Sequence, residues 1–224
     1  MTAPPTRDRP FSFRDTTVVA CGTLRPELQA LTEAGRLDAR RILYTAPGLH
    51  EWQSKLHAQL SRQLERAAEH AGPTVVVYGE RCFLDAADPT RDTGALIREV
   101  DPSAVRLDAA HCIDMLADEA QRRRLTDGER VTWLTPGWIA FWDAIFADWD
   151  AAKANETFPQ HAKAMVLDGI GFFDALASAE PERVLEISDW MGLPLEAATV
   201  SLDRFHGLLV AAARRAAGET VGYT

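Results

Sequence analysis

The chain has 224 residues, with 24 Lys and Arg against 33 Asp and Glu for a formal charge of −9, and an apolar share of 46%. That length and composition suit a folded unit that buries its own core without disulfides, and they exclude a disordered or collagen-like chain. No apolar run approaches the roughly 20 residues of a membrane helix, and no segment concentrates enough Lys or Arg to track phosphates, so neither membrane nor nucleic acid is an expected partner.

Residues 1–15 are polar and Pro-rich and lack the apolar stretch of a secretory leader, so they are expected to be disordered or loosely packed and the protein cytoplasmic. Thr16–Ala20 reads as a buried strand, and Pro26 fits the first turn of a helix carrying Leu28 and Leu31 inward. Arg41–Tyr44 is the second strand. After Pro47-Gly48 comes a helix whose Leu49, Trp52, Leu56, Leu60 and Leu64 repeat every three or four residues. Pro73 introduces a strand at Thr74–Tyr78, and residues 81–102, rich in Asp, Pro and Thr, read as a loop with at most one short helix. Ala104–Leu107 is the fourth strand, followed by a helix from Ile113 to Arg124. Arg130–Leu134 is the fifth, followed by Pro136 and a long aromatic helix through Ile139, Trp142, Ile145, Phe146 and Trp149. Lys163–Leu167 is the sixth. A helix from Phe172 to Met191, broken near Pro181, and another capped by Ser201 and carrying Phe205, Leu208 and Leu209 complete the chain.

Strands apolar on both faces, alternating with helices, predict a parallel sheet with helices on both sides. The expected fold is one doubly wound α/β domain over 16–216, with about six strands in a mostly parallel sheet and a tail at 217–224. No internal repeat is present.

In such a sheet, ligands bind beyond the carboxyl ends of the strands. Those ends carry Cys21-Gly22, the run to His50, Gly79-Glu80-Arg81-Cys82, Ala110-His111-Cys112, Thr135-Pro136-Gly137-Trp138 and Asp168-Gly169. All three cysteines of the chain therefore fall at one edge. An odd number of cysteines points away from a disulfide framework and towards thiol chemistry, metal chemistry or core packing. Three thiolates with one or two imidazoles are donors for Zn2+, iron–sulfur clusters or Cu(I) rather than Mg2+ or Ca2+. Cys21, Cys82, Cys112 and His111 would close a structural zinc site, whereas three protein ligands leave a position open to substrate. Three cysteines also suit a 4Fe–4S cluster with one iron free of protein ligands. No Cys-x-x-Cys occurs, so the grouping rests on tertiary convergence alone. The competing reading is three buried core cysteines, since free Cys behaves as a small hydrophobe.

His50, at a helix start, is a candidate ligand or acid–base group. Arg81 beside Cys82 is a candidate for lowering a thiol pKa or clamping an anion. Asp168, before Gly169-Ile170-Gly171, is a candidate catalytic carboxylate, and equally a turn or cap residue. Trp138 and its aromatic neighbours are core at helical spacing or the wall of a cofactor pocket, to which Gly22 would also belong. No dinucleotide fingerprint, Walker loop, nucleophile elbow or His-Glu-x-x-His is present.

The strings Ala20-Cys21-Gly22-Thr23-Leu24, Tyr78-Gly79-Glu80-Arg81-Cys82, Ala110-His111-Cys112-Ile113 and Trp133-Leu134-Thr135-Pro136-Gly137-Trp138 resemble, in order, the family labelled domain of unknown function 1638. The resemblance runs from Thr16 to Leu209. Phe83 stands where the family has Gly, and His111 abuts Cys112 without an intervening Asp. The resemblance implies that Cys21, Cys82 and Cys112 act together. It also implies a link to corrinoid-dependent methyltransferases, but no defined reaction.

The leading expectation is a metalloprotein. Cys21, Cys82 and Cys112 would hold a 4Fe–4S cluster or Zn2+, with His111 or His50 completing or flanking it. Arg81 would orient an anionic substrate and Asp168 would move a proton, the substrate being a small thiol-, methyl- or carboxylate-bearing molecule. Two further expectations are a non-catalytic metal or corrinoid-pathway accessory protein, partnering a corrinoid or a methyltransferase-pathway protein, and a metal-free cysteine enzyme.

Overall fold

A computed structural model describes residues 11–219 apart from 86, 87, 89, 151, 155–157, 159 and 160. The chain runs β1 (Thr17–Ala20), α1 (Arg25–Glu33), β2 (Arg41–Tyr44), α2 (Gln53–Ala68), β3 (Thr74–Val77), α3 (Thr93–Val100), β4 (Val105–Arg106), α4 (Cys112–Leu116) and α5 (Glu119–Thr126). It continues through β5 (Val131–Leu134), α6 (Pro136–Ala140), α7 (Trp142–Ile145), β6 (Lys163–Asp168), α8 (Phe172–Ala179), α9 (Pro181–Met191), β7 (Leu195–Thr199) and α10 (Asp203–Ala216).

The α/β class and the parallel pairing agree with the sequence. The single sheet of about six strands does not. The strands form a four-stranded parallel sheet in the order β2-β1-β3-β4 and a separate parallel sheet β5-β6-β7. β4 is only two residues long and pairs with β3 alone. Beyond it, the Arg106 guanidinium donates to the carbonyls of Leu107 and Ala109 where the chain turns away. β7 escapes sequence reading because Leu-Glu-Ala-Ala-Thr is half-exposed and poor in β-branched residues, so pairing with β6 rather than propensity makes it a strand.

Side-chain alternation divides the core. Val18, Ala20, Val75 and Val77 join α1 and α10 on one face of the first sheet, through Leu28, Leu31, Phe205 and Leu209. Val19 and Val76 face α2 and α3, through Leu56, Leu60, Leu64, Leu96 and Ile97. α2 is helical because Leu56, Leu60 and Leu64 recur once per turn while Lys, Gln and Arg take the other faces. The first core continues into the second sheet through Leu167, Trp133 and Ala198, so the two sheets share one buried cluster.

Two expected helices are divided, and a third breaks where the sequence places its break, near Pro181. The stretch from Ile113 to Arg124 breaks at Ala117, where Asp118 starts α5 with a capping box to Gln121. The aromatic stretch turns at Phe141, and α8 ends at Glu180 because Pro181 disfavours a helical residue before it. Ser201 accepts the Asp203 N–H but does not cap α10, whose N-cap is Leu202. Of the expected loose segment, residues 1–10 lie outside those described, whereas Phe13 is fully buried and its N–H is held by Asp38. Residues 220–224 of the expected tail also lie outside. Among the described residues no helix is long and apolar enough to cross a membrane.

Candidate functional site

In the order β2-β1-β3-β4 the chain leaves β1 to one side for β2 and returns to the other side for β3. The carboxyl ends of β1 and β3 therefore flank a topological switch point, where open α/β sheets form their binding crevice. A pocket lies there with about 20 Å3 of enclosed space, and Cys21, Cys82 and Cys112 all line it together with His50, Tyr78 and Trp138.

Close backbone approach brings the three cysteines together. Beyond β3 and β4 the chains stay zipped: Glu80 N–H donates to Ala109 O and Arg81 N–H to Ala110 O. A Cβ on Gly79 would lie 2.4 Å from Ala110 O and from His111 Cα. Glycine there lets the Cys82 and Cys112 segments meet. Gly22 does the same for Cys21, since a Cβ there would lie 2.5 Å from Thr45 O. Gly22 thus packs β1 against the end of β2 and does not itself line the pocket.

Each sulfur lies near polar groups that favour its charged form. Around Cys21 are the Thr23 and Tyr78 hydroxyls and the Thr23 and Gly48 N–H groups; Cys82 faces the backbone of Gly79, and Cys112 the side chain of Trp138. Cys21 Sγ lies 3.3 Å from Thr23 Oγ1. Burial nonetheless dominates, pushing all three thiols up, Cys82 to about 12. The thiols also oppose one another: Cys21 raises Cys82, and both raise Cys112. At neutral pH this is a trio of neighbouring thiols, each near a group able to support a thiolate. As placed, no three His, Cys, Asp or Glu side chains among the described residues converge closely enough to hold a single metal ion.

His50 reaches the pocket from the turn before α2. Its Nε2 lies 3.4 Å from Glu51 Oε1, and its ring meets that of Trp138 edge to face at 5.1 Å. The His50 hydrogen bond is the main reason Glu51 lies below the usual carboxylate range.

Three other expected site residues point elsewhere. Arg81 and His111 line a separate outer cleft with Asp114, Asp118, Arg122 and Arg204. His111 caps α4, its Nδ1 accepting the Asp114 N–H at 3.3 Å, and burial lowers its pKa. The cation that lowers the Cys82 pKa is Arg106, not Arg81. Asp168, at the end of β6, is buried and accepts the N–H groups of Ile170 at 3.0 Å and Phe173 at 2.8 Å. This holds the turn into α8, as an Asx residue does.

Glu27 has no counterpart in the sequence reading. It is fully buried in the first turn of α1, and neither carboxylate oxygen has a hydrogen-bond partner. Burial first, and then the charge of Asp168, raise its pKa to about 8, and its own charge raises that of Cys112. One signal was available: Glu27 stands one helical turn from Leu31 and beside Leu28, on the stripe that α1 buries.

Residues 44–209 match the family described as protein of unknown function (DUF1638), and the chain belongs to that family. The matched span includes Cys82 and Cys112, while Cys21 precedes it. No curated protein and no solved structure matches the chain.

Proposed function

We propose that in this member of the DUF1638 family Cys21, Cys82 and Cys112 hold one soft-metal centre, a 4Fe–4S cluster in preference to Zn2+, with a position left open to a small substrate. The observation that carries this reading is the convergence of all three cysteines, from three separate strand ends, on a single pocket at the switch point. Thiolates this close repel one another, and a bound cation offsets that repulsion. The ligands come from three separate strand ends, an origin that suits a large cluster.

A bound cluster with three protein ligands would supply a Lewis-acidic iron to a hydroxyl, carboxylate or sulfur ligand. The chain's own groups do the rest. Trp138 walls the pocket and excludes water. His50, steadied by Glu51 and Trp138, is placed to hold or pass a proton at the mouth. Arg81 and Asp168, which lie outside the pocket, have no step in this scheme. A metal-free nucleophilic thiol is disfavoured, since such enzymes lower the thiol pKa and this pocket raises it. The substrate in this scheme is a small thiol-, methyl- or carboxylate-bearing molecule, and a corrinoid would act through a partner protein.

Alkylation of the three thiols before and after anaerobic reconstitution with ferrous iron and sulfide tests the reading. Loss of reactivity at all three together supports it. Protection of none, or of one alone, contradicts it.

A further inference from the structure

We infer that the outer cleft lined by Arg81 and His111 binds a small zwitterion of the amino-acid type, its carboxylate on Arg81 and its ammonium on Asp108. The inference is independent of the three-cysteine reading, because neither Arg81 nor Asp108 lines the cysteine pocket.

The cleft has about 530 Å3 of space, within the roughly 300–1,000 Å3 of small-molecule sites. Its walls are set by backbone. The Glu80 and Arg81 N–H groups donate to Ala109 O and Ala110 O at 2.9 and 3.0 Å. Arg106 pins the chain on either side of Asp108, its guanidinium donating to the carbonyls of Leu107 and Ala109. Arg81 and Asp108 therefore stand on a fixed frame, which lowers the ordering cost of binding.

Most of the charge in the cleft is already paired. Asp114 is held by Arg122, and Glu119 pairs with Arg123 one helical turn on. Asp118 lies 3.7 Å from Arg204, and Glu80 lies 3.6 Å from Arg106. Arg81 and Asp108 are left over. Both are exposed, and neither side chain has an ion pair or a hydrogen bond among the described residues, with each other included. A lone exposed charge is ordinary. Two of opposite sign, in one cleft whose other charges balance, suit one molecule that carries both.

A bare anion there would meet Asp108, and a bare cation would meet Arg81; a zwitterion meets neither penalty. The guanidinium offers parallel N–H groups to a carboxylate, and the Asp108 carboxylate accepts from an ammonium. His111 lines the same cleft with Nδ1 taken by the Asp114 N–H at 3.3 Å, which leaves Nε2 as a further donor to the ligand carboxylate.

The test titrates the full chain calorimetrically with glycine and 4-aminobutyrate, a short and a long span between the two charges, and with acetate and methylammonium, which carry one charge each. The better of the two amino acids should bind about tenfold or more tighter than acetate or methylammonium, the worth of one charged hydrogen bond. Arg81→Gln and Asp108→Asn should each weaken that binding about tenfold, while Glu119→Gln, whose partner is Arg123, should leave it unchanged. Binding of neither amino acid would overturn the inference, as would either Arg81→Gln or Asp108→Asn binding like wild type. Acetate matching the better amino acid would also overturn it, marking a plain anion site, and so would Glu119→Gln weakening binding as much as Asp108→Asn. None of these outcomes bears on metal uptake, so the three-cysteine reading stands or falls separately.

Discussion

The carboxyl ends of the two sheets make a natural pair. Both consist of parallel strand ends leading into helices, yet their chemistry is opposite. At the second sheet Asp168 is the chemically conspicuous residue, and both its oxygens accept backbone N–H groups in the turn to α8. At the first, three thiols line one small pocket, and only the Cys21 sulfur has a hydrogen bond among those of the described residues, to Thr23 Oγ1. The difference teaches that a polar residue at a strand end signals function only when its hydrogen-bonding capacity outruns its neighbours' demands. Asp168 is used up by its own turn; the cysteines are not.

The sharpest way to break this contrast is Gly79→Ala. The new Cβ would meet backbone at 2.4 Å, which no side-chain rotation relieves, and would push the Cys82 and Cys112 segments apart. We expect a loss of about 3 kcal/mol or more in stability, read from denaturant midpoints, together with loss of metal uptake.

Glu27, between the two edges, should show in the pH dependence. The folded chain keeps its proton to about pH 8, whereas the unfolded chain releases it near the ordinary Glu value of about 4.3. Between these limits the unfolded state binds fewer protons, so stability falls as pH rises, by at most about 1.4 kcal/mol per pH unit. The contribution is complete below the lower limit and the slope vanishes above the upper one. Glu27→Gln, which has the same shape and no charge, should flatten the profile between them. A profile identical to wild type would show that Glu27 is already ionised.

Asp168→Asn should weaken one of the two turn hydrogen bonds and cost about 1–3 kcal/mol, with metal content unchanged. A drop in metal content per folded chain would make the second edge part of the site. Smallest of all, Glu196→Gln removes a half-exposed partner of Lys163 at 2.9 Å on the surface of the second sheet. It should cost less than about 1 kcal/mol, measured by thermal unfolding, and leave both edges intact.

Much of this arrangement is legible in the sequence because it depends on strand ends. β-branched runs at Val18-Val19 and Val75-Val76-Val77 place Cys21 and Cys82, and the turn after β4 places Cys112, without any side-chain detail. What is not legible depends on direction. His111 is the extended N-cap of α4 and Cys112 its first helical residue, and the two neighbours enter different clefts. Arg81 and Cys82 are successive residues of one 3₁₀ turn, about a third of a turn apart. Sequence adjacency to the cysteines therefore carries both Arg81 and His111 into the outer cleft. The split into two sheets is equally hidden, since a two-residue strand such as β4 leaves no mark in composition. Glu27 looks like any acidic residue in a first helical turn until Leu28 and Leu31 show which face is buried.

The central claim is tested most directly by iron, sulfide and zinc analysis with an absorption spectrum, on wild type and on Cys21→Ser, Cys82→Ser and Cys112→Ser purified without oxygen. A brown wild-type protein whose iron and sulfide are lost in every one of the three variants is the predicted result. One zinc per chain without colour would replace the cluster with a thiolate–zinc site. A wild type without metal after reconstitution, or variants that keep it, would contradict the account.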